Sequence, residues 1–136
     1  MFGGCESLVD ASQLILPATE LAYSSYYHMF DSCTSLTAAP ALPATTLAPW
    51  CYMYMFWGCT SLTDAPTLPA TTLANNGSCY LSMFEGCTSL TSIEVALTSW
   101  SNENETYRWV YNVAANGTFY CPEELDTTLI DEDHVP

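Results

Sequence analysis

Seven cysteines, two histidines and fifteen carboxylates are the side chains of this 136-residue chain with the means to do chemistry. The cysteines stand at 5, 33, 51, 59, 79, 87 and 121, and no two of them form the C-x-x-C spacing that marks zinc or redox sites. Cys5, Cys33, Cys59 and Cys87 occupy one place in a recurring phrase. Cys51 and Cys79 form a second column, with Ser25 in the equivalent place. A repeated free cysteine behaves as a small apolar side chain. The pattern therefore favours core packing over a disulfide set, and a disulfide set over a metal site. Of the histidines, His28 aligns with Tyr54 and Ser82, a place without fixed chemistry, and His134 lies in the acidic tail. No G-x-S-x-G elbow is present. The repeats supply no recurrent acid from which a glycosidase pair could be built. The expectation is no catalytic residue, no metal and no cofactor.

The elements that must position these residues are repeats. MFGGCESL, MFDSCTSL, MFWGCTSL and MFEGCTSL begin at Met1, Met29, Met55 and Met83. Two insertions, at Leu14-Ile15-Leu16 and at Asn75-Asn76-Gly77-Ser78, fall in different places while the rest keeps register. Stacked repeat proteins tolerate loop insertions in this way. Cys79, Met83 and Cys87 are four apart, which predicts one or two helical turns, with Gly58 and Gly86 ending them in a left-handed residue. Ile93-Glu94-Val95 alternates like a short strand. Pro40 and Pro66 stand where other repeats would pair, so the parallel sheet is expected to be short or irregular there. Ala-Thr-Thr-Leu at 44–47 and 70–73 carries the chain back across. The predicted structural core is Cys33, Cys59, Cys87, Cys51, Cys79, Met55, Phe56, Met83, Phe84, Leu62 and Leu90.

With those phrases in place, the repeats resemble the BspA-type leucine-rich repeats of bacterial surface proteins, whose coils carry A-F-x-x-C-x-x-L-x-x-I. Met-Phe stands for Ala-Phe here, and Cys59, Leu62 and Ala65 hold the following positions. The resemblance covers about residues 1–97, and the units of 26 to 28 residues are longer than the family's because of the proline-containing segment. It implies a leucine-rich-repeat solenoid of α/β type, with about four coils of short strands and short helical turns. It also implies a cap after the repeats. Residues 1–98 form the repeats in this reading, and 99–136 form the cap and acidic tail. The expected cap is a helix over Glu105 to Ala114, a turn at Asn116-Gly117 and a final strand over Thr118 to Cys121.

One basic residue, Arg108, against fifteen acids gives a net charge of −14, a surface that repels nucleic acid and anionic membranes. Nine of the fifteen acids lie from Glu94 onward, and the tail reads as a solvated segment. No apolar run approaches the ~18 residues of a membrane span, and no basic-then-apolar leader opens the chain. Since Met1 aligns with the later repeat methionines, a cut within a longer array is one explanation of that start. Sequons at Asn76, Asn104 and Asn116 matter only on a eukaryotic secretory route. By resemblance, the expected function is a non-catalytic module outside the cell or on a bacterial surface. It would act through contact with host or bacterial surface proteins, in adhesion or ligand binding. The candidate contact face is Trp50, Tyr54, Trp57, Tyr27 and His28, large side chains at positions the repeat leaves unconstrained. The alternative is a structural subunit that assembles head-to-tail into a filament through Met1, Phe2, Cys5 and Leu8, with further copies of itself as partners.

Overall fold

The computed structural model describes residues 1–74, 77–100 and 104–136. The insertion at Asn75 and Asn76, and with it the Asn76 sequon, lies outside them.

Each Met-Phe phrase sits in register on the next. Phe2 N–H donates to the Met29 carbonyl at 2.8 Å, and Phe30, Phe56 and Phe84 donate to Met55, Met83 and Trp109 at 2.9 Å each. Two residues on, Gly4, Ser32, Gly58 and Gly86 donate to Asp31, Trp57, Glu85 and Tyr111 at 2.6–2.9 Å. The residues between them turn back on their own repeat, as Met55 N–H does to Tyr52 at 3.0 Å and Cys59 N–H to Phe56 at 3.1 Å. Alternate amides thus point along the stack and back into a turn. Each repeat is a rung built of turns.

This pattern overturns the expected α/β leucine-rich-repeat solenoid of four coils. The described residues contain no helix, and only two three-residue strands. The physical reason is in the backbone. A helix needs an unbroken run of right-handed residues, but φ is positive at His28 (52°), Tyr54 (57°), Ser82 (49°) and Arg108 (53°), in the middle of each supposed helical segment. It is positive again four residues on, at Ser32, Gly58, Gly86 and Asn112. Gly58 and Gly86 are left-handed, as the helix-ending role required, yet they close turns. The helix expected over Glu105 to Ala114 is absent for the same reason, since Arg108 and Asn112 are both left-handed.

Each such residue without a glycine costs about 1–2 kcal/mol. Packing offsets that. Phe2, Phe30, Phe56 and Phe84 stack with centroids 5.5, 5.5 and 5.6 Å apart and rings within 6° of parallel. Trp109 ends the column, 6.2 Å from Phe84. Beside it Cys33, Cys59 and Cys87 each donate Sγ–H to the phenylalanine carbonyl one repeat back, at 3.1 Å. A helix would instead send its amides to its own carbonyls.

On the opposite side, Leu36, Leu62 and Leu90 are buried. Past them the rungs meet as single parallel bridges: Asp10 with Ala38, Asp64 with Ser92, Glu20 with Thr46 and Leu68 with Val95. A true ladder forms once. Strand β1 (Ser92–Glu94) pairs in parallel with β2 (Thr118–Tyr120), Ile93 opposite Phe119. The phrase Ser92-Ile93-Glu94 lacks the proline that Pro40 and Pro66 put into the two preceding repeats, so every amide can donate. Gly117 lets the last rung approach, for a Cβ there would lie 2.3 Å from the Thr91 carbonyl oxygen. Strand β1 lies one residue earlier than the alternation over Ile93 to Val95 suggested, and β2 begins at Thr118 as expected but ends one residue short of Cys121.

The chain then folds over its own last rung. Arg108 N–H, which has no further repeat to meet, donates to Asp133 Oδ1 at 2.5 Å, and Val110 N–H to the Glu132 carbonyl at 3.2 Å. Trp109 Nε1 donates to the His134 carbonyl and Trp100 Nε1 to the Asp126 carbonyl, both at 2.8 Å. Leu125 is buried beneath this cover.

Candidate functional site

The turns that stack the phenylalanines inward leave other side chains in columns on the outside. One column runs His28, Tyr54, Ser82 and Arg108, the left-handed residues of successive rungs. Another runs Asp31, Trp57, Glu85 and Tyr111, whose carbonyls accept the rung bonds described above. His28, Asp31, Tyr54, Trp57, Ser82, Glu85, Tyr107 and Arg108 line one groove of about 350 Å³.

Its polar groups are already tied to one another. Arg108 Nη2 lies 2.9 Å from Glu85 Oε1, and its guanidinium carbon sits 4.1 Å from the Tyr111 ring centroid. His28 Nδ1 is 3.6 Å from Asp31 Oδ2. The His28 ring stacks on Tyr54 at 4.7 Å, and Tyr27 meets both rings edge-on, at 4.3 and 6.3 Å. Trp57 differs. It is 40% exposed, and its indole packs on no other aromatic ring among the described residues.

The four aromatics and one histidine expected to form one contact face are therefore divided. His28, Tyr54 and Trp57 share the groove, and Tyr27 buttresses it. Trp50 lies apart, 44% exposed and tilted against Tyr23 at 5.1 Å. Asp31 and Glu85 belong to the groove although sequence reasoning left them out. Their signal was available, since they align with Trp57 one repeat to either side. Arg108 carried no such signal, because its rung has lost the Met-Phe phrase, Trp109 and Val110 standing where methionine and phenylalanine would. At the proposed assembly end Met1 is 90% exposed and Cys5 is exposed, while Phe2 and Leu8 are half-buried.

The core set of Cys33, Cys51, Cys59, Cys79, Cys87, Met55, Phe56, Met83, Phe84, Leu62 and Leu90 is buried throughout, and all seven cysteines are free thiols. Burial pushes the Cys51 thiol up to about 11 and those of Cys59 and Cys79 to about 12. Cys33 is raised and Cys87 well raised by the same cause. A protonated, buried thiol is neither a nucleophile nor a ligand. Among the described residues no three His, Cys, Asp or Glu side chains gather as a metal shell would, and no helix is long and apolar enough to cross a membrane.

One buried acid falls outside the groove. Tyr80 N–H donates to Glu105 O as Tyr52 N–H does to Cys79 O, so Glu105 continues the Cys51–Cys79 column into the last rung. It is 0% exposed, and neither carboxylate oxygen has a hydrogen-bond partner among the described residues.

Set against family models, characterised proteins and solved structures, the chain matches none.

Proposed function

We propose that this chain is a non-catalytic binding module that works outside the cell or at a cell surface, by contact between its outer groove and a surface macromolecule. The observation that carries the reading is the register of Asp31, Trp57 and Glu85. Three successive rungs set an exposed indole between two carboxylates, in a groove whose remaining walls are His28 stacked on Tyr54, with Ser82, Tyr107 and Arg108. Side chains held by their neighbours lose little freedom on binding, which is how a small surface gains affinity. Two features support the non-catalytic part. Five of the seven thiols are buried, with burial raising each of them, and the Glu85 carboxylate is engaged by Arg108 of the next rung. Recognition at a bacterial or host surface is also what the resemblance of the Met-Phe/Cys/Leu phrases to BspA-type repeats implies.

The filament alternative asks each copy to receive the Met1 end of the next on its last rung. The donors of that rung are occupied by residues 132–134, which weighs against it.

Beads carrying the full chain are expected to adhere to intact bacterial or epithelial cells, and the Trp57→Ala chain to lose that adhesion without a change in melting temperature. Equal adhesion by both chains would sink the reading.

A further inference from the structure

We propose that the occupant of the groove is an uncharged saccharide, with one pyranose ring seated on the Trp57 indole. The inference rests on the binding-module reading above and names its ligand class.

The chain carries −14 overall, so a bare carboxylate pair would point to a cation, such as a lysine of a basic peptide. The pair is not bare, since one of the two already holds the cation of this surface. Glu85 is bound to Arg108 at 2.9 Å and Asp31 faces His28 at 3.6 Å. Arg108 is the only Lys or Arg in the chain, and it lies at this groove. A cationic ligand would have to sit against that guanidinium. An anionic one would have to displace Glu85 from it on a strongly acidic surface. What remains attractive is a neutral ligand rich in hydroxyls. A paired carboxylate keeps spare lone pairs that accept O–H donors, and charge-assisted bonds of this kind are about twice as strong as neutral ones.

A pyranose presents an apolar face of C–H bonds and a rim of hydroxyls, and it needs a flat apolar platform with polar groups at the edges. Trp57 is such a platform, half-exposed and unstacked. The polar groups flank it in register, one repeat away on each side. Rungs joined by backbone hydrogen bonds lie ~4.8 Å apart, close to the length of one sugar ring. Hydroxyls of a ring centred on Trp57 therefore reach Asp31 on one side and Glu85 on the other. Tyr107, half-exposed, adds a hydroxyl within the same groove.

Tyr54 is clamped between His28 and Tyr27, and Arg108 is held by Glu85, by the Tyr111 ring and through its own amide by Asp133. Sugars bind weakly, so their sites gain from groups that are already immobile.

The test is saturation-transfer NMR on the full chain with neutral hexasaccharides: cellohexaose, maltohexaose, mannohexaose and chitohexaose, titrated through a ~1 mM dissociation constant. At least one should receive magnetisation on its ring C–H protons, and its affinity should change little between low and high salt. Trp57→Ala should weaken it about tenfold or more. Asp31→Asn, which keeps shape and fold, should weaken it by a similar factor, and Trp50→Ala should leave it unchanged. If none of the four binds, or if binding survives Trp57→Ala, the proposal is wrong. It is also wrong if a lysine-rich peptide binds the groove instead in a salt-sensitive way, which would make the partner a protein. The bead assay separates the two levels. Adhesion that needs Trp57 but persists on cells stripped of glycans by glycosidases keeps the binding module and discards the saccharide. No adhesion at all discards both.

Discussion

Glu105→Met should make the protein more stable, against the usual direction of a core substitution. Glu105 is fully buried in the column of Cys51 and Cys79, and both its oxygens lack a partner among the described residues. Leaving a buried polar group unsatisfied costs about 1–3 kcal/mol in proteins. Methionine has nearly the same length and volume, no polar atom, and enough flexibility to fit beside the Cys79 sulfur. Its backbone carbonyl would still accept from Tyr80 N–H. The gain is therefore roughly the whole desolvation term, about 1–3 kcal/mol. At about 3 °C per kcal/mol for a domain of this size, Tm rises by ~3–9 °C. Scanning calorimetry of the two chains in one buffer reads it directly. Glu105→Gln, which keeps an unsatisfied amide in the same place, should recover much less. A Glu105→Met chain that melts at or below the parent temperature would refute the reasoning, since it would mean the carboxyl does structural service.

Three further outcomes follow from the same packing. Thiol labelling in the native state should modify Cys5 first and Cys121 next, with Cys33, Cys51, Cys59, Cys79 and Cys87 reacting only on unfolding. Rapid native labelling of any of these five, read by mass spectrometry, would contradict their burial. Gly117→Ala should destabilise by about 1–3 kcal/mol, measured by denaturant melts, because the added Cβ meets the Thr91 carbonyl oxygen head-on and β2 must move from β1. Acid should loosen the tail before the rungs. Asp126 is held below its usual value by the Thr128 hydroxyl and amide; for Asp131, partial burial pushes up, but His134 and the Asp133 amide outweigh it. A depressed carboxylate contributes stability that is present above the ordinary value of 3.8 and lost as pH falls through the lower, folded one. Amide exchange at Arg108 and Val110 should therefore accelerate below about pH 4 while Phe56 and Phe84 stay protected, and simultaneous exchange of all four would show that the tail is not a separate unit.

What the repeated phrases determined was register. Met-Phe, Cys and Leu at constant offsets place Phe30 on Phe56 and Cys59 beneath Phe30 whatever the local backbone does, because only that alignment buries every ring at once. The prolines likewise announced a broken ladder. The secondary structure was not legible. Met, Phe and Leu at spacings of four suit a helix, and nothing in Tyr54, Ser82 or Arg108 signals a left-handed residue. Those conformations hold only because amides of one rung find carbonyls of the next, a bond that exists after stacking and not before it. The groove divides in the same way. Trp57, Tyr54 and His28 stood out as large side chains at unconstrained places, and the alignment alone put Asp31 and Glu85 in line with Trp57. Joining Arg108 to them, setting Trp50 apart and covering the last rung with the tail were decided in three dimensions, since each depends on contacts between segments about 25 or more residues apart in the chain.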